Sequence, residues 1–319
     1  MPAGTGSGLR EPERRRFFHM PALWVALGIM GIVDAIWSGA VGLTISGYDP
    51  FLLIVGGLLC LTVLLRVIWG NPKLAVLAEV WALWMVFASV GNILTYLAAT
   101  PALPLRDELF ARLDRATGFQ WKAVFDLIES HALVGRLLSI SYGSLIPEIL
   151  VLAAFLSFAG LEKRIRDFYW IVYIALVLTS VLSSLLPAAG AFPHYGMLDR
   201  ASWMHDFEAL RSRSNLHFSL PDMTGIVTFP SFHAVLPLLV IYVTRGTGAA
   251  GYGFAAWNLI MLLSITAIGG HYFVDIAGGA AVFGIALAAR RWVAHSQLAG
   301  SPVLGGACLS AAEQRFERV

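Results

Sequence analysis

Hydrophobic residues in this chain fall in long runs separated by short clusters of charge. At about 20 apolar residues per crossing, the runs predict eight transmembrane helices, over 22–44, 51–69, 74–99, 143–160, 168–186, 231–244, 252–269 and 272–293. The sixth is short, with Phe229 and Pro230 placed as a cap rather than as helix. Between the third and fourth runs, 104–131 has a different pattern. There Leu105, Leu109, Phe110, Leu113, Phe119, Trp121, Val124, Phe125 and Ile128 are interspersed among charges. That spacing suits one or two amphipathic helices lying in the interface, acting either as a scaffold cap or as a shelf that guides a lipid. No internal repeat or second domain is visible. The expected fold is all-α: a polytopic membrane bundle of about eight transmembrane helices with an interfacial amphipathic segment. The membrane domain is expected over 22–293, between cytoplasmic tails at 1–21 and 294–319.

Composition agrees with the pattern. The 319 residues are 58% hydrophobic and 13% charged, with a mean hydropathy of +0.73, a balance that belongs to a polytopic membrane protein. A net charge of +2 and the lack of a basic stripe interleaved with aromatics exclude nucleic acid as a partner. Cys60 lies in an apolar run and Cys308 in the polar tail, far apart, so neither a disulfide nor a thiolate metal site is expected. Ser38-Gly39-Ala40 loosely resembles a cleavage site. Asp34 inside the first run, and the length of that run, favour an uncleaved helix over a signal peptide.

The placement of basic residues predicts orientation. Arg10, Arg14, Arg15 and Arg16 precede the first helix, Arg66 and Lys73 flank the second turn, and Lys163, Arg164 and Arg166 lie between the fourth and fifth helices. Arg245 follows the sixth, and Arg290 and Arg291 close the eighth. Eight crossings put all of these on one side, which the positive-inside rule makes cytoplasmic. The chain is therefore expected in a plasma membrane, the bacterial inner membrane, with the last two segment openings on the outer face.

Those openings carry the candidate chemistry. Phe229-Pro230-Ser231-Phe232-His233 starts one segment and Gly270-His271-Tyr272-Phe273-Val274-Asp275 starts another. Ionisable groups in a membrane segment are costly and usually functional. His271 and Asp275, four apart, share a helix face, so the carboxylate can fix the imidazole tautomer and support positive charge on the ring. The intervening hairpin returns His233 to the same membrane face. His233 sits at a helix start, where free N–H groups and the dipole favour an anion such as phosphate. One histidine can attack phosphorus while the other protonates the departing oxygen, and neither step needs a metal or other cofactor.

These residues resemble the type 2 phosphatidic-acid phosphatase superfamily, in the branch that includes fungal inositol phosphorylceramide synthase. The resemblance rests on Gly225-Ile226-Val227-Thr228-Phe229-Pro230-Ser231-Phe232-His233 and on the stretch from His271-Tyr272-Phe273-Val274-Asp275 to Gly278-Gly279. Weaker echoes lie in the stretch from Leu113-Asp114-Arg115 to Trp121, and in Leu186-Pro187-Ala188-Ala189-Gly190-Ala191. It implies His271 as a nucleophile that becomes phosphohistidine, Asp275 as its orienting partner and His233 as the acid. Ser264-Ile265 stands where the superfamily has a Ser-Arg pair, Phe232 where it has Gly, and its basic first motif is not recognisable near Leu186-Pro187. These departures agree with a sphingolipid-type phosphotransferase. The resemblance implies a lipid phosphatase or head-group phosphotransferase acting on a membrane lipid.

Without that arginine, phosphate charge needs another partner. Arg211 and Arg213, before the first histidine motif, are the expected phosphate binders together with Ser231, because an arginine fork matches phosphate oxygens. Arg136 and Lys122 are lesser options. His194, His205 and His217 match no zinc spacing and are expected at the surface. Asp34, Glu79 and Glu148, in three apolar runs, support a second hypothesis, a transporter with an intramembrane carboxylate path. A catalytically inactive scaffold is a third.

Overall fold

The computed structural model describes residues 19–299. The basic residues at 10–16, Cys308 and most of both expected tails lie outside the described residues. The fold is helical. α1 (Pro21–Val41), α2 (Tyr48–Ile68), α3 (Pro72–Ala99), α8 (Glu162–Leu185), α12 (Ala249–Ala267) and α13, whose apolar span is Phe273–Ser296, are each long and apolar enough to cross a membrane. A bent pair, α6 (Ala132–Gly143) and α7 (Leu145–Phe158), passes the same test together, with a 56° angle between its halves. The protein is thus a polytopic helical membrane bundle. Six spans, or seven with the bent pair, meet the length criterion among the described residues. The sixth predicted segment is the shorter apolar helix α11 (Phe232–Thr244).

The fourth span, expected from 143, is preceded by an apolar helix over 132–142, which the expected elements leave unassigned. The break follows from Ser144 and Pro147. Pro147 sits in the first turn of α7 and has no N–H to continue the α6 ladder. Glu148 N–H restarts it on the Ser144 carbonyl at 2.8 Å. The cap segment forms α4 (Asp107–Ala116) and α5 (Trp121–Glu129), and α9 (Ala191–His194) and α10 (Met204–Ser212) follow α8. A two-stranded parallel ladder, β1 (Thr44–Ser46) on β2 (His217–Ser219), ties the α1–α2 turn to the segment before α11. No run of apolar residues announces it.

α3 is the axis of the bundle: 61% of its apolar window is buried, against 22% for α1 and 17% for α2. It packs on α1, α2, α7 and α8, while α8 also meets α11 and α13. Small residues allow these approaches, as expected where lipid tails compete with apolar side chains. A Cβ on Gly91 would lie 2.7 Å from Leu176 Cδ2, so α3 and α8 meet at a glycine.

The two ends of the bundle differ in charge. At one end, Arg164 Nη1 donates to the carbonyls of Val243 (2.8 Å) and Arg245 (2.6 Å). Arg290 pairs with Asp167 at 2.9 Å, Lys73 Nζ donates to the Phe158 carbonyl, and Arg66 meets Glu79 at 3.5 Å. The opposite end gathers the C-termini of α3, α8 and α12 and the N-termini of α11 and α13. Both histidine motifs lie there, as the alternation of crossings requires.

Candidate functional site

Close backbone contact between α11 and α13 builds the site. A Cβ on Gly279 would lie 2.4 Å from the Ser231 carbonyl oxygen, and one on Gly278 would lie 2.9 Å from Phe229 Cε2. Only glycines in its second turn let the start of α13 reach the Phe229-Pro230-Ser231 segment. The Ser231 N–H then donates to the Asp275 carbonyl at 3.0 Å. His233, in the first turn of α11, is half-buried with its ring stacked on Tyr142, centroids 4.5 Å apart. The structure therefore brings His271 and Asp275 together and sets the start of α11, which carries His233, against the start of α13.

His271 is 4% exposed and Asp275 is fully buried. His271 Nδ1 lies 2.9 Å from the Thr228 carbonyl oxygen and 3.3 Å from Asp275 Oδ2. A carbonyl oxygen only accepts, so Nδ1 carries the proton and donates it, leaving the lone pair on Nε2. Sequence spacing pointed to Asp275 as the orienting group; the closer partner is the Thr228 backbone. Asp275 has a second task, because Oδ2 also accepts the Tyr272 N–H at 2.9 Å. Burial pulls the His271 imidazole down to about 4, against a raising effect of the Thr228 carbonyl. The ring is therefore neutral near pH 7, the form in which a nitrogen can attack.

Two further carboxylates hold the His271 loop. Asp114 accepts the N–H groups of Phe273 (2.8 Å) and Val274 (2.9 Å), so a residue of α4 caps α13. Asp107 accepts the Ala189 and Gly190 N–H groups and the Tyr272 hydroxyl, at 3.0, 2.9 and 3.0 Å. Trp121 Nε1 donates to the His271 carbonyl at 2.9 Å. Gly270 takes φ +65, and a Cβ there would lie 2.5 Å from Phe192 Cδ2. Sequence reasoning missed Asp107, Asp114, Trp121, Tyr272 and Thr228 as site-shaping groups. Asp114 and Trp121 stand in the first weak echo, the one signal that pointed to them. Asp107 had none.

This capping decides where an anion can bind. The leading N–H groups of α13 are already taken by Asp114, which leaves the α11 start as the open helix end. Ser231 there is fully buried, and its hydroxyl has no hydrogen-bond partner among the described residues. The expected arginines separate. Half-buried Arg211 donates to the Leu103 carbonyl at 2.8 Å, lies over the Phe207 ring and feels the charge of Asp107, while its other terminal nitrogen is buried with no hydrogen-bond partner among the described residues. Burial lowers its pKa. Arg213 is the exposed, left-handed C-cap of α10. Lys122 pairs with Asp126 and Arg136 is exposed.

His205 and His217 are exposed, but His194 is half-buried with its ring edge-on to Tyr272, centroids 5.9 Å apart. Among the described residues no three of His, Cys, Asp and Glu converge as a metal cage would. Of the intramembrane carboxylates, Glu79 accepts the His19 and Met20 N–H groups and meets Arg66. Glu148 accepts from Asn258 at 2.5 Å. Both have local structural partners, while Asp34 is buried with neither oxygen hydrogen-bonded among the described residues.

A family model described as the PAP2 superfamily matches residues 108–289, more than half of the chain. No curated protein and no solved structure matches. The matched region holds α4 to α12 and most of α13, with both histidine motifs and Asp114.

Proposed function

The chain belongs to the PAP2 superfamily, which makes it a membrane-bound phosphatase of the lipid-phosphate type, and from that premise we propose a metal-independent phosphohistidine mechanism ending in head-group transfer between lipids. The observation that carries this reading is the 2.9 Å contact of His271 Nδ1 with the Thr228 carbonyl, because it aims a bare Nε2 lone pair away from the protein backbone. In the first step Nε2 forms a bond to phosphorus and the P–O bond to the leaving group breaks. His233 supplies the proton taken by the departing oxygen, and the bound phosphate's negative charge favours the imidazolium that donates it. In the second step a hydroxyl attacks phosphorus, His233 takes its proton and the P–N bond breaks.

Ser231, the open α11 N-terminus and Arg211 are the proposed phosphate binders; Arg213 is kept only as a peripheral charge. Water as the second nucleophile gives a phosphatase, and a lipid hydroxyl gives a transferase. Ser264-Ile265 and Phe232, at positions where the superfamily is expected to carry other residues, support the transferase of the inositol phosphorylceramide synthase-like branch, with a sphingolipid or glycerolipid acceptor. The site is proposed on the outer face of the plasma membrane, because the short loops at the other end of the bundle carry Lys73, Lys163, Arg164, Arg166 and Arg245.

Turnover of a 32P-labelled lipid phosphate, quenched with SDS at alkaline pH and followed by peptide mapping without an acid step, tests the intermediate. Alkali-stable, acid-labile label on the His271 peptide, absent in His271→Ala, is the expected result. Turnover with no label under single-turnover conditions, and near-normal activity in His271→Ala, would overturn it. Product analysis with and without an added sphingolipid then separates transfer from hydrolysis.

A further inference from the structure

On the site-bearing half of the bundle, α1, α3 and α8 enclose a groove of about 400 Å³. Its walls include Val33 and Trp37 of α1, Leu94 and Ala98 of α3, and Val177 and Ser184 of α8. The lining is almost wholly apolar side chain, and the volume falls within the range of roughly 300–1,000 Å³ of small-molecule sites. Lining residues run along α8 from Tyr173 to Leu185, about 18 Å at 1.5 Å per residue. That is close to the depth of one leaflet of a hydrocarbon core about 30 Å thick.

The groove ends beside the site. Ala99 and Thr95 of α3 and Ser183 of α8, each next in sequence to a groove residue, line a small cavity together with Thr228 and Phe229. Thr228 is the residue whose carbonyl holds His271. α1 and α3 lie before residue 108, where the family match begins, so two of the three walls come from outside the matched region. Convex apolar faces elsewhere, such as Leu53 and Ile54 on α2, have neither this concavity nor this continuity.

We propose that this groove is the binding site for one acyl or alkyl chain of the lipid substrate, and that α1 gives the enzyme its preference for a long-chain substrate. The inference rests on the lipid-phosphate function above and adds where the apolar part of the substrate lies.

The full chain in phosphatidylcholine nanodiscs, given a phosphatidic acid with a diazirine at the end of one hexadecanoyl chain, tests this without turnover. Photoadducts are expected on 29–37 and 177–185 several-fold above those on the segment bearing Leu53 and Ile54. Excess unlabelled dihexadecanoyl phosphatidic acid should suppress them, while the dibutyryl form should not. Val33→Trp with Val177→Trp fills the groove from its exposed edge, and should flatten by roughly tenfold the fall in KM from the dibutyryl to the dihexadecanoyl substrate. Equal labelling of α2 and the groove, or no competition by the long-chain lipid, would overturn the proposal whether or not the Trp variant folds. Labelling that persists in a protein forming no phosphohistidine would leave the groove standing and remove the mechanism.

Discussion

His271 Nδ1 lies closer to the carbonyl oxygen of Thr228, at 2.9 Å, than to the carboxylate of Asp275, at 3.3 Å. The imidazole is therefore oriented by a backbone group that no side-chain substitution removes. His271→Ala should abolish turnover, while Asp275→Asn, which keeps its shape and leaves Thr228 in place, should lower kcat by about 10²- to 10³-fold. Steady-state kinetics of the two purified variants check this. Equal, complete loss in both would mean that Asp275 rather than Thr228 sets the tautomer.

The pH dependence has a definite sign. Attack needs the unprotonated ring, and burial pulls its pKa from 6.5 down to about 4. The nucleophile is then available throughout the range above about 4 and is lost only as pH falls through that value. With a phosphodiester lipid, which does not titrate near neutrality, kcat/KM should show no limb at 6.5 assignable to His271. A limb at 6.5 that tracked the His271 ring in NMR titration would show that the ring is solvated.

Asp114 caps α13 from another helix, and this makes it separable from the chemistry. Asp114→Ala leaves the Phe273 and Val274 N–H groups without their acceptor and should cost about 1–3 kcal/mol. Because the cap sits two residues after His271, kcat should fall more than KM rises. Thermal melting in detergent, run beside the kinetics, tests both effects. Full stability with full activity would mean that solvent replaces the carboxylate.

Gly279 fixes the spacing between the histidine motifs. In Gly279→Ala the new methyl meets the Ser231 carbonyl oxygen at 2.4 Å, so α13 must move away from α11, and both activity and melting temperature should drop. Gly284→Ala, where nothing lies within 4 Å, is the control and should be neutral or slightly stabilising. Equal behaviour of the pair would show that the helices are less tightly apposed.

Sidedness can be read with single cysteines in a background lacking Cys60 and Cys308. Ser212 is exposed at the site end and Lys163 at the basic end. A membrane-impermeant thiol reagent on intact cells should label Ser212→Cys and not Lys163→Cys. The reverse pattern would place the chemistry in the cytoplasmic leaflet and change the lipid pool it uses.

Sequence alone determined the long apolar helices and the shared end of the two motifs. A bilayer forces each crossing to be a long apolar helix, because backbone groups find no partner in hydrocarbon. Run length therefore encoded the spans, and the alternation of crossings put His233 and His271 together before any coordinates. The four-residue spacing of His271 and Asp275 pointed to their contact by helix geometry, but His271 lies in the loop before Phe273, where α13 begins, and reaches Asp275 from there. The bend between Gly143 and Leu145 was less legible, because the apolar content of 132–158 is continuous and only Pro147 interrupts it.

Tertiary structure decided what holds the nucleophile. The Thr228 carbonyl reaches His271 across 43 residues and Asp114 reaches Phe273 across 159. The first donor or acceptor is a backbone atom, which carries no sequence signature. The second is a charged residue in an amphipathic helix, indistinguishable in pattern from a solvated one. The same holds for Arg211 and Arg213: two residues apart in one loop, they differ because the first still belongs to α10 and packs over Phe207, while the second has left the helix. Packing between distant helices, which depends on glycine at Gly91 and Gly279 and on where each helix ends, made those distinctions.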